Sequence, residues 1–130
     1  MALNWLAVIA AALSSFVLGG LWYGPLLGNA WMKAAGVSAE QVAKGNKAMI
    51  FGGTFVLSLI AAASFAVFLG ANIDATTGAL YGFTAGLCWV TTSLGSTYLF
   101  EHKPLSLFLI NGGYRTLQFT LIGLILGAWR

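Results

Sequence analysis

The chain is poor in charge. Of 130 residues only 7% are Asp, Glu, Lys or Arg, where soluble globular chains carry about 25%. That leaves too little polar surface to wrap a fold in water. One cysteine, Cys88, excludes an intrachain disulfide. One histidine, His102, and three carboxylates (Glu40, Asp74 and Glu101) leave no metal-ligand set and no acid–base or nucleophilic constellation of the common hydrolases. The basic residues are few and scattered, without the aromatic interleaving of a nucleic-acid surface, so no nucleic-acid partner is predicted. No phosphate-cradling glycine motif is followed by lysine. The sequence therefore nominates no catalytic residue and specifies no cofactor; a membrane-embedded enzyme is the third-ranked reading.

What the chain has is apolar length. Hydrophobic residues make up 59% of it, and they concentrate in four continuous runs, Asn4–Tyr23, Ala48–Leu69, Thr77–Phe100 and Leu105–Trp129. As helices these would be about 30 to 38 Å long, against a hydrocarbon core of about 30 Å. Because the runs do not alternate, helices are predicted rather than barrel strands. The expectation is an all-α, integral membrane four-helix up-down bundle in a single domain. The first run lacks the basic start of a cleavable signal and is read as an uncleaved span.

The polar connection, residues 24–47, is predicted to lie on the membrane surface as a short amphipathic segment. Gly24-Pro25 should stop the first helix. Ala30–Ala35 would form a short helical piece with Trp31 and Met32 toward lipid headgroups. Ser38-Ala39-Glu40-Gln41 reads as a capping box opening another short helix that Gly45 ends. Lys33, Lys44, Lys47 and Lys103 fall on one side and Arg130 on the other. The positive-inside bias then puts the first and third connections in the cytoplasm, with both termini non-cytoplasmic. Membrane lipids are the expected partners.

Lipid gives helices no hydrophobic reason to pair, so small residues must let backbones approach. Residues spaced by four supply such faces: Ala7, Ala11, Ser15 and Gly19; Ser58, Ala62 and Ala66; Gly78, Gly82 and Gly86, continuing toward Val90; and Gly123 and Gly127. A face left over would serve a homodimer.

Arg115 is the exception to the charge pattern. Every other Lys, Arg, Asp, Glu and His lies between or beyond the runs, whereas Arg115 lies about 15 Å into the last one. A central arginine costs about 2.5–3.5 kcal/mol on insertion scales. No carboxylate lies inside a run to offset that cost. Asn111, Arg115 and Gln118 share a helix face, which Thr91, Thr92, Ser93, Ser96 or Thr97 would meet. Asn111-Gly112-Gly113 reads as a helix-weakening triplet of the kind that breaks transporter helices at bound ions. Arg115, Asn111, Gln118 and Tyr114 are the candidate ligand-binding residues, for an anionic small molecule or ion. The competing reading is a non-catalytic scaffold or accessory protein in which Arg115 caps carbonyls freed by the glycine pair and Pro25. Glu101-His102-Lys103-Pro104 reads as a solvated turn.

Two stretches carry a resemblance. Phe16–Leu27 (FVLGGLWYGPLL), with Trp22, Tyr23 and Pro25, followed by Trp31, resembles the opening of a bacterial membrane family, the domain of unknown function 1761. Tyr98–Leu105 (YLFEHKPL), with Glu101 and Pro104, running on to Asn111-Gly112-Gly113-Tyr114, resembles its closing half. Members commonly have serine where this chain has Gly24. The resemblance implies a four-span integral membrane protein, expected in a bacterial inner membrane, and no established activity.

Overall fold

A computed structural model describes residues 3–70 and 72–129. It is helical throughout, as the composition requires, with no strand among the described residues. The order is α1 (Trp5–Leu21), a π-helical segment (Trp22–Leu26), α2 (Gly28–Ala35), α3 (Ala39–Lys44), α4 (Lys47–Leu69), α5 (Ala75–Ala85), a second π segment (Gly86–Thr91), α6 (Thr92–Phe100) and α7 (Leu105–Ala128). Arg130, on which the orientation argument partly rests, lies outside the described residues.

Short polar side chains set the helix starts. Asn4, Asn46 and Asp74 each accept a hydrogen bond from the backbone N–H three residues on, satisfying a donor the helix itself cannot. Ser38 and Gln41 form the expected reciprocal capping box. Gly36 and Gly70 end α2 and α4 at φ of 73° and 78°, a region that favours glycine.

Gly24-Pro25 does not stop the first helix. The chain stays helical to Leu26 by widening to π geometry, and Leu27 N–H bonds Trp22 O five residues back. Proline lacks an N–H and its ring crowds the carbonyl four residues earlier; the wider turn relieves both. Gly28, against the Tyr23 carbonyl, then opens α2 earlier than the expected Ala30.

The second π segment corrects the glycine register. Gly78, Gly82 and Gly86 are followed on the same face by Thr91 and Gly95, not Val90, because the segment inserts one residue. Opposite them on α7 the numbers fall as these rise: Gly78 meets Gly123, Gly82 meets Phe119, Gly86 meets Arg115 and Thr116, Thr91 meets Gly112, and Gly95 meets Phe108. The two rods are therefore antiparallel along their whole length. A Cβ on Gly82 would fall on the Phe119 carbonyl, and one on Gly123 on the Gly78 carbonyl, so glycine is what permits this approach.

Helix α1 also runs antiparallel to α7, from Asn4 beside Trp129 to Tyr23 beside Asn111. Helix α4 packs on α1 and α7 through Phe16–Phe55 and Phe65–Phe119 ring contacts. Ala7, Val8, Ala11, Ala62, Phe65, Leu69, Ala85, Ile122 and Leu126 form the core. Large apolar side chains such as Leu6, Val17, Leu57, Ile60, Leu80 and Trp89 are exposed outside it.

Two helical stretches, Trp5–Leu26 and Lys47–Leu69, are long and apolar enough to cross a membrane by length and composition. The α5–α6 rod is divided by its π segment, and α7 carries the polar stripe from Asn111 to Thr120.

Candidate functional site

Helix α7 runs unbroken through Asn111-Gly112-Gly113, so the expected helix break is absent. Both glycines are packing positions. Gly112 leaves room for Thr91, whose hydroxyl lies 3.1 Å from the Gly112 carbonyl and 2.7 Å from that of Gly86; Gly113 leaves room for the Trp22 ring. Packed neighbours on both sides offset the weak helix propensity of the pair. The interruptions lie instead at the two π segments facing α7.

Beside this helix is a cavity of about 580 Å³, within the range of small-molecule sites. Asn111, Tyr114 and Arg115 of α7 line it, together with Ser15, Phe16 and Gly19 of α1, Tyr23, Trp31, residues of α3 and α4, and Tyr98 of α6. No carboxylate is among the described residues on its wall, and Arg115 is the only side chain there with a permanent charge.

Arg115 is partly buried. Its guanidinium lies 5.0 Å from the Tyr114 ring centroid, and one terminal nitrogen donates to Gln118 Oε1 at 2.9 Å. A guanidinium has five N–H donors, and this is the one hydrogen bond it makes among the described residues. No buried side-chain polar atom among them is left without a partner, so the remaining donors face open space rather than dry core. Gln118 is buried and off the cavity wall: it aims Arg115 rather than lining the site. The arginine caps no carbonyl of the glycine pair or of Pro25.

Asn111 sits between two phenols. Tyr23 Oη donates to its Oδ1 at 2.5 Å, and its Nδ2 donates to Tyr98 Oη at 2.7 Å. One amide offers an acceptor on one side and a donor on the other, so it can take the hydrogen of only one phenol. Whichever way the amide is turned, one of the two phenol hydrogens stays available to the cavity. Tyr114 is committed elsewhere, donating to Ser15 O at 2.9 Å. Gly19 gives it room, since a Cβ there would lie 3.3 Å from its oxygen.

The remaining expectations divide. Trp22 donates from Nε1 to Ile110 O at 2.9 Å, fastening the end of α1 to α7. Trp31 packs edge-on to Tyr23 with ring centroids 5.8 Å apart and lines the cavity while staying partly exposed. Thr91 contacts Gly112 and Thr116, not the Arg115 face, while Thr92, Ser93 and Thr97 are exposed and bond carbonyls of their own helix. Pro25 holds the first π segment, and Glu101 and Pro104 stand in an exposed turn off the cavity wall. Sequence reasoning missed Tyr98 as a site residue and missed the bridge through Asn111. Its signals were a tyrosine among apolar residues at a helix end and its place at the start of the stretch that carries the family resemblance.

A family model described as "Protein of unknown function (DUF1761)" matches residues 6–127. No curated protein matches the chain, and no solved structure does.

Proposed function

We propose, for a chain that belongs to this family of unknown function, that it is a small integral membrane protein that binds or transports an anionic ligand, held at Arg115 beside Asn111 and the phenols of Tyr23 and Tyr98. One observation carries this reading: the cavity contains a permanent cation with unused donors and no acid on its wall. A guanidinium in that state favours an anion with two oxygens in a plane.

The membrane setting is supported by the two long apolar helices and by the exposed belt of Leu, Ile, Phe and Val side chains. In this reading the α5–α6 rod and α7 also cross, with the buried and partly buried polar stripe of α7 turned toward the bundle and the cavity rather than lipid. Lys33, Lys44, Lys47 and Lys103 are all exposed and mark the cytoplasmic side of an inner membrane. Trp31 and Val42, from the connection that carries three of these lysines, line the cavity, so its ligand would meet the basic end first.

A scaffold role for Arg115 draws on its contacts with Gln118 and the Tyr114 ring. Thermal unfolding in detergent separates the two readings. A series of organic and inorganic monoanions should raise the transition temperature of the wild type, and a ligand at 100 times its Kd adds about 2.7 kcal/mol. Arg115→Gln should lose that response while eluting and unfolding as the wild type does. Loss of assembly in Arg115→Gln, with no anion response in the wild type, would favour the scaffold.

A further inference from the structure

The apolar part of the cavity wall narrows the class of anion. We infer that the occupant is a single-chain amphiphile with a one-charge head, a long-chain carboxylate being the simplest case. Its head sits on Arg115 and its chain runs along Phe16, Ile50, Phe51 and Leu94. This rests on the anion-site reading above and goes beyond it.

Charge balance limits the head. One guanidinium neutralises one negative charge, and a dianion would leave a charge uncompensated in a low-dielectric setting. The donors match in number: the Arg115 guanidinium and the Tyr23–Asn111–Tyr98 bridge line the same cavity, and a guanidinium edge with one free phenol hydrogen is enough for the two oxygens of a carboxylate.

The walls then ask for a chain. The cavity is also bounded by Phe16 of α1, Val42 of α3, Ile50 and Phe51 of α4, and Leu94 of α6, none of which can hydrogen-bond an ion through its side chain; Thr54 of α4 adds a single hydroxyl to this largely apolar lining. Ile50 and Phe51 are also about half exposed, at 51% and 57%, so this wall continues onto the outer apolar surface between α1 and α4. A hydrated inorganic ion gains nothing there; an alkyl chain does. Gly20 and Gly24 line the same space, and a Cβ at either meets nothing within 4 Å. A Cβ at either glycine would thus enter open space on the cavity wall, and a larger side chain there is the means to compete with a bound chain.

The test uses the full chain in phosphatidylcholine nanodiscs, titrated with acetate and with dodecanoate, with empty nanodiscs subtracted. Dodecanoate should bind far more tightly than acetate, since each buried methylene is worth up to about fourfold in Kd. Gly20→Leu should weaken dodecanoate at least about tenfold and leave acetate unchanged. Gly24→Leu serves the same purpose if Gly20→Leu fails to fold. Arg115→Gln should weaken both ligands. Equal, Arg115-dependent affinity for acetate and dodecanoate would overturn the chain and leave the anion site standing. Binding of neither in an Arg115-dependent way would overturn both. A final arm adds phosphatidylglycerol to the nanodisc. Competition with dodecanoate would assign the head site to a two-chain membrane lipid and overturn the single-chain occupant; indifference supports it.

Discussion

At the scale of single residues, the site is a set of divided duties around α7. Arg115 supplies charge, Gln118 aims it, and Asn111 ties Tyr23 to Tyr98 so that one phenol hydrogen stays free. Asn111→Leu should therefore do more than remove one amide. It strands two partly buried phenols, costing about 1–3 kcal/mol in thermal unfolding, and it weakens anion binding in the same preparation. Tyr114→Phe removes only the bond to the Ser15 carbonyl and should cost about 0.5–1.5 kcal/mol while sparing anion affinity. If Tyr114→Phe abolished binding and Asn111→Leu did not, the assignment of donors would be reversed. Arg115 was legible in the sequence because a lone charge inside an apolar run has no cheap explanation. Tyr98 was not, because a tyrosine at a helix end satisfies an interfacial role equally well, and only its approach to Asn111 distinguishes the two.

At the scale of helices, the glycine seam between the α5–α6 rod and α7 fixes where everything else stands. Gly82 faces the Phe119 backbone directly, so Gly82→Leu must push the rods apart; a loss of about 1–3 kcal/mol or more is expected, read as reduced folded yield and a lower transition temperature. Gly52→Ala on α4, where a Cβ meets nothing within 4 Å, should be tolerated and is the control. The spacing of four announced this seam up to Gly86. It could not announce the π segment, which moves the next contact from Val90 to Thr91, since no local signal separates an α turn from one residue more. Pro25 misled for the related reason that proline opposes an α turn but is accommodated in a wider one. The capping residues, whose chemistry is local, were readable: Ser38 and Gln41 form the box their spacing implies.

At the scale of the whole molecule, a chain this poor in charge presents apolar side chains outward and keeps its polar stripe within. In the proposed membrane setting lipid is the solvent for that surface. Cysteine scanning in inverted membrane vesicles should find Leu57 and Leu80 unreactive to a membrane-impermeant maleimide from either side, and Lys47 and Lys103 reactive from the cytoplasmic side; Cys88→Ser provides the background. Labelling at position 57 or 80 would remove the membrane setting. Ligand contact at Arg115 can be read directly, because the chain has only two arginines. In an Arg130→Lys background the Nε–H resonance of arginine belongs to Arg115 alone. Titrated with dodecanoate in nanodiscs, that single peak is predicted to move and saturate; a peak that stays put at every concentration, in folded protein, would contradict the account.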